Sequence, residues 1–116
     1  MLFRSNEIHV HPDINVGLAV AVPDGLVVPS VPNPQLLGLV DIARLRAGLV
    51  TRARTGALSP DEMTRGTFTI SSLAQTGVVE FAAIINPPQV AILSVPASQT
   101  RVVLEKIGRA SCRERV

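Results

Sequence analysis

Tyrosine and tryptophan are missing from this 116-residue chain, and Phe3, Phe68 and Phe81 are its only aromatic side chains. The stacking platform that single-stranded nucleic acid needs is therefore absent. Packing falls to valine, leucine, isoleucine and alanine, within a hydrophobic content of 47%. No apolar run approaches the roughly 18 residues of a membrane-spanning helix. The start, MLFRSNEIHV, lacks the apolar core of a signal peptide, so the cytoplasm is the expected compartment. Glycine-rich phosphate loops of the Gly-x-Gly-x-x-Gly or Gly-Lys-Ser/Thr type are absent, as is the Gly-x-Ser-x-Gly nucleophile elbow. There is no internal repeat and no low-complexity stretch. A chain of this length suits one small domain.

Lysine and cysteine occur once each, Lys106 and Cys112, both in the terminal stretch KIGRASCRERV. That stretch holds Lys106, Arg109, Arg113 and Arg115, four of the eleven basic residues. It resembles a translated sequencing adapter, and the head MLFRS resembles the opposite adapter. Residues 1–5 and 106–116 are accordingly set apart from 6–105, and Cys112 carries no information about redox compartment. Between them, six arginines face eight acids, a net charge of −2, so the formal +2 of the whole chain comes from its ends. A basic partner surface for nucleic acid or membrane is not expected.

NEIHVHPD reads as a strand with His9 and His11 on one face, ended by a turn at Pro12-Asp13. Runs 14–22 and 26–31 read as strands joined through Pro23-Asp24-Gly25. Their continuous apolar character predicts cover on both faces. Gly17 is costly inside such a strand unless another group approaches closely. After the break PNPQ, the residues Leu36, Leu39, Val40, Ala43, Ala47 and Val50 fall at helical spacing, predicting a helix to about Arg54 with that stripe inward. Ser59, Pro60 and Glu62 form a capping-box pattern for a short second helix. RGTFTISSL returns to period two, with Thr69 and Ser71 on the opposite face from Phe68 and Ile70. The Pro87-Pro88 pair predicts an extended turn before a strand at 90–95, and TRVVLE predicts a last strand. The reading is an α/β fragment.

Candidates for chemistry are few. His9, His11 and Asp13 supply only part of a metal shell, so no metal is expected. The arginines of RLRAGLVTRAR read as a solvated helix face. Ser71 and Ser72 end a strand beside a loop, where α/β proteins tend to place ligands and where a hydroxyl can donate to a developing oxyanion. Asn86 precedes the double proline and reads equally as a turn residue.

The blocks VGLAVAVPDGLVVPSV (16–31), ARTGALSPDEM, RGTFTISSL (65–73) and FAAIINPPQVAIL (81–93), in that order, resemble the catalytic domain of 2-oxoacid dehydrogenase acyltransferases, the E2 or dihydrolipoamide acyltransferase subunits. The resemblance covers essentially all of 6–105. It implies part of a two-layer sandwich with a mixed sheet, like that of chloramphenicol acetyltransferase. It also implies acyl transfer from an S-acyl dihydrolipoyl group to coenzyme A. The lipoyl group would be carried on a lipoyl domain upstream, beyond a linker and a peripheral-subunit-binding domain. By the same resemblance Ser71 stabilises the oxyanion, with Ser72, where many relatives carry Asn, and Asn86 as coenzyme A contacts. A histidine in an H-R-x-x-x-D-G stretch takes the thiol proton. That stretch is expected beyond Val95, and neither His9 nor His11 matches it, so the chain alone is expected to be inactive.

The implied partners are the E1 and E3 subunits and further copies of the chain. These form trimers, with the active site at the subunit boundary, that build a cubic or dodecahedral core. Neither nucleic acid nor membrane is implied. The EFAAIINPPQ block is closer to pyruvate-type than to 2-oxoglutarate-type relatives, pointing to acetyl rather than succinyl or branched-chain groups. Two departures stand out. Ala74 replaces a usual Gly, where a positive φ would strain it, and Pro96 enters a strand end where it cannot donate. The alternatives are a related acyltransferase working from coenzyme A to a small hydroxyl acceptor, and a core subunit without activity.

Overall fold

A computed structural model describes residues 10–106 and 109–115. The expected first strand is only partly within reach, since residues 6–9, His9 included, lie outside the described residues. Val10 to Ile14 are irregular, which corrects the strand expected there: Pro12 has no N–H for a ladder. Pairing begins at β1, Asn15–Leu18, and continues through β2, Val20–Val22, β3, Gly25–Val27, and β4, Ser30–Pro32.

The run read as one strand, 14–22, is thus two. Leu18 N donates to Pro29 O at 2.8 Å, whereas Ala19 N turns to Ile70 O at 3.1 Å. Beyond this change of partner, β2 pairs with β3 as an antiparallel hairpin, Val22 opposite Gly25. Pro23 and Asp24 are its two loop residues. Cover on both faces does not hold for this hairpin: Leu26 is 64% exposed. A two-stranded ribbon has one face without a partner layer.

Contacts divide the chain into two compact units, one running to Ser71 and including 83–93, the other comprising 72–82 and 94–116. A mixed sheet has the strand order β4-β1-β5-β6, where β5 is Phe68–Ser72 and β6 is Ile92–Val95; β4, β1 and all of β5 but Ser72 belong to the first unit. β1 runs antiparallel to β4 and parallel to β5, with Gly17 opposite both Ser30 and Thr69. A parallel pair needs a long crossover, and here α1, Leu39–Arg54, and α2, Pro60–Thr64, lie in it. α1 packs on β2 and β4, and α2 on β4.

The inward face of α1 differs from expectation. Leu49 and Ala53 are its buried residues, while Leu36, Leu39 and Val40 are 79%, 86% and 63% exposed. Helical periodicity locates an apolar stripe but does not say which layer covers it. The helix also starts later than predicted, because Pro34–Leu36 form a 3-10 turn and Gly38 stands at the N-cap without a capping side chain.

α2 matches its sequence signature. Ser59 Oγ accepts from Glu62 N at 3.3 Å, and Glu62 Oε2 accepts from Ser59 N at 2.9 Å. Glu62 then ties the helices and sheet together: its Oε1 meets Arg52 Nη2 at 2.6 Å, and its carbonyl accepts from the buried Ser30 Oγ at 3.1 Å. In the second unit, β7, Gln99–Lys106, pairs antiparallel with β8, Arg109–Arg115, through an irregularity at Leu104/Lys106.

Candidate active site

The interior of the first unit is unusually polar. Beside Val20, Val31, Leu49 and Ala53, the buried set contains Asn15, Ser30, Thr69 and Gln89. Buried polar groups must find partners, and these do so across the parallel seam. Asn15 N donates to Thr67 Oγ1 at 2.9 Å, Thr67 N to Asn15 O at 2.8 Å, and Asn15 Nδ2 to Arg65 O at 3.1 Å. The start of β1 is thereby locked to the start of β5, which fixes the register of the strand that carries Ser71.

Along β5, alternation puts Thr69 and Ser71 on one face and Phe68, Ile70 and Ser72 on the other, as predicted. Thr69 is wholly buried, Ser71 half-buried and Ser72 exposed. Among the described residues the Ser71 hydroxyl has no side-chain hydrogen-bond partner. Ser72 Oγ accepts a long contact from Ala74 N at 3.4 Å. Asn86 opens the turn before the cis Pro87-Pro88 bond and accepts from Gln89 N through its carbonyl at 3.0 Å.

A cleft of about 290 Å³ lies elsewhere in this unit, lined by His11, Asp13, Asn15, Arg65, Thr67 and Gln89 among others. Neither serine nor Asn86 lines it, so its volume does not mark the place where Ser71 would act. Arg65 pairs with Asp61 through Nη1 at 3.0 Å, and its buried Nε has no partner among the described residues. Among the described residues no three His, Cys, Asp or Glu side chains come together to hold a metal ion.

Gln89 went unnoticed in the sequence. Its Oε1 accepts from Thr69 Oγ1 at 2.6 Å. Its amide occupies the space beside Gly66, where a β carbon would stand 2.8 Å from Gln89 Nε2. The pair is separated by 20 residues, and no local pattern announces it.

The two departures feared from the sequence cause no backbone strain. Ala74 begins a 3-10 turn, Ala74–Thr76, and the left-handed residue is Gly77, at φ 76°. Asn33 is the one non-glycine residue of positive φ among those described. Pro96 stands just past β6, flanked by intact bonds: Leu73 N donates to Val95 O at 3.0 Å, and Ala97 N to Val78 O at 2.8 Å.

The family model described as 2-oxoacid dehydrogenases acyltransferase (catalytic domain) matches residues 2–116. The chain is similar to the acetyltransferase component of the mitochondrial pyruvate dehydrogenase complex of Dictyostelium discoideum, 46% identical over 92 residues, covering 79% of this chain and 14% of that protein. It is also 44% identical over 100 residues to the succinyltransferase component of the 2-oxoglutarate dehydrogenase complex of Cupriavidus necator, covering 86% and 24%.

Among solved structures it resembles the dihydrolipoamide acetyltransferase of Azotobacter vinelandii, the subject of work on a serine, a histidine and an asparagine in its catalytic mechanism. The TM-score there is 0.81 at 37% identity, covering 90% of this chain and 42% of that one. For a probable dihydrolipoamide acetyltransferase from Listeria monocytogenes the values are 0.86, 35%, 97% and 48%. The chain thus spans less than half of these solved relatives and a quarter or less of these curated ones. Its mixed sheet, its flanking helices and its sequence place it in the 2-oxoacid dehydrogenase acyltransferase family, within the catalytic domain.

Proposed function

We propose that the full-length protein transfers an acyl group, acetyl first, from S-acyl dihydrolipoyl to coenzyme A within a 2-oxoacid dehydrogenase complex. The observation that carries this reading is the Ser71 hydroxyl near the end of β5, without a side-chain hydrogen-bond partner among the described residues, in a chain that matches the family over residues 2–116. In the exchange, the coenzyme A sulfur forms a bond to the thioester carbonyl carbon and the bond from that carbon to the dihydrolipoyl sulfur breaks. The thiol proton passes to a basic group and ends on the departing sulfur. While negative charge collects on the carbonyl oxygen, Ser71 donates a hydrogen bond to it. That charge is largest in the transition state, so the bond is worth most there.

The proton acceptor is assigned to a histidine beyond this chain's last residues. Ser72 and Asn86 are assigned to coenzyme A contact, E1 and E3 subunits to the partners, and further copies of the chain to the trimers of a cubic or dodecahedral core. Acetyl as the acyl group is supported by the EFAAIINPPQ block and by the acetyltransferase components of Dictyostelium and of Schizosaccharomyces pombe, the latter 43% identical over 96 residues.

The test is Ser71→Ala in the intact protein, following acetyl-CoA formation. The expected result is a kcat lower by about 10²–10³-fold, the usual loss of one oxyanion donor. An unchanged rate removes Ser71 from the reaction.

Residues 1–5 and 106–116 are assigned to adapter sequence. The family match runs through the tail, so this assignment rests on the adapter translations and on the reversal of charge at both ends. Genomic DNA read across the two junctions decides it: MLFRS and IGRASCRERV found there would overturn it.

A further inference from the structure

Thr69 and Gln89 form a buried polar pair on the face of β5 that also carries Ser71, and neither takes part in the proposed acyl transfer. Thr69 is 0% exposed and Gln89 8%. A neutral hydrogen bond in such a place adds little net stability, and two apolar side chains of the same shape would serve nearly as well. Space has nevertheless been cleared for it twice. A β carbon at Gly17 would stand 3.0 Å from Thr69 Oγ1, and one at Gly66 would stand 2.8 Å from Gln89 Nε2. Neither glycine has a positive φ, so close approach, not turn geometry, accounts for both.

The pair joins two segments. Gln89 N donates to Asn86 O at 3.0 Å, closing the Asn86–Gln89 turn, and Gln89 Oε1 holds Thr69 at 2.6 Å. Thr69 lies two residues before Ser71 on the same face of the same strand. One side chain therefore sets the Asn86 turn against the strand end that presents Ser71. A short buried bond specifies distance and direction where apolar contact would allow sliding. Hydroxyl donors to a developing charge are sensitive to displacements of about 1 Å.

We infer that Gln89 is a positioning residue for acyl transfer, acting through Thr69 to hold the Ser71 hydroxyl at its working place. The inference rests on the proposed role of Ser71. The test uses the intact, lipoylated protein in its complex and four variants: Gln89→Ala, Gln89→Glu, Thr69→Val and Thr69→Ser. Gln89→Ala and Thr69→Val each lower kcat about tenfold, the loss expected when a transition-state donor is displaced. Gln89→Glu, which still accepts from Thr69, and Thr69→Ser, which still donates, recover most of that loss.

In a Ser71→Ala background, Gln89→Ala has no further effect, because the residue works through Ser71. Full kcat in Gln89→Ala or Thr69→Val overturns the inference. So does an equal tenfold loss when Ser71 is already absent, which would assign Gln89 an independent role. Should Gln89→Ala fail to fold, the isosteric Thr69→Val and its Thr69→Ser partner decide alone. A fully active Ser71→Ala variant would instead remove the reading beneath, an outcome distinct from either.

Discussion

Thr69 stands over Gly17 so closely that no β carbon fits between them: one built at 17 would lie 3.0 Å from Thr69 Oγ1 and 2.9 Å from Val28 Cγ1. The parallel seam between β1 and β5 is therefore set by contact as well as by hydrogen bonds. Thr69 cannot turn away without giving up Gln89 at 2.6 Å. Gly17→Ala is expected to destabilise the intact protein by ~1–3 kcal/mol, the range for overpacking a filled interior. A fall in the urea midpoint at unchanged slope measures it. An unchanged midpoint would mean that the seam opens at no cost.

Glu62 makes a second prediction. The Ser59 backbone N–H, followed by the Arg52 side chain, holds its carboxyl below the ordinary glutamate value of 4.5. The native state thus binds its proton less tightly than the unfolded chain does. The stabilisation is complete above the ordinary value and is lost as pH falls below it toward the depressed one. Glu62→Gln keeps the shape and removes the charge, so the acid limb of stability against pH below about 4.5 should become shallower than in the wild type. Thermal midpoints from pH 3 to pH 7 show this; identical limbs would leave the carboxylate without a role.

What the sequence revealed was local. Ser59, Pro60 and Glu62 spell a helix start because a cap is made within four residues, and Pro23-Asp24 spell a turn for the same reason. The facing of Thr69 and Ser71 followed from strand alternation. The need for a close neighbour at Gly17 was legible, but the neighbour was not, since Thr69 is brought there only by the crossover.

Facing failed for α1: Leu36, Leu39 and Val40 share a stripe, and only the layer above a stripe decides whether it is buried. The break at Ala19 was invisible in an unbroken apolar run, because it reflects a change of hydrogen-bond partner. Gln89 was missed for a related reason. A glutamine after two prolines looks like a wet turn until topology sets a threonine hydroxyl beneath it.

The loop after β5 tests where conformational freedom is required. Gly77 sits at φ 76° with nothing within 4 Å of where its β carbon would be, so a substitution there meets backbone strain and no clash. Gly77→Ala should cost about 1–2 kcal/mol, the left-handed penalty of an ordinary residue. Ala74, with no positive φ, should gain nothing from glycine: Ala74→Gly is expected to be neutral or to lose up to about 1 kcal/mol through added freedom of the unfolded chain. Denaturation of the two variants side by side checks the assignment. A stabilising Ala74→Gly would reverse it.

Ser71 and Ser72 are neighbours with opposite prospects, because one step along a strand exchanges faces. Ser71 shares the face of Thr69 and its hydroxyl has no side-chain partner among the described residues, whereas Ser72 is exposed and accepts from Ala74 N at 3.4 Å. A donor aimed at developing charge acts in the transition state, so its loss falls on kcat. A contact to bound coenzyme A acts equally before and during the reaction, so its loss falls on KM. Ser71→Ala should therefore depress kcat by about 10²–10³-fold. Ser72→Ala should raise KM for coenzyme A about fivefold, the worth of one ordinary hydrogen bond. Steady-state kinetics with varied coenzyme A separate the two effects. The reverse pattern, with kcat lost at Ser72 and KM at Ser71, would mean that the reacting carbonyl approaches the other face of β5.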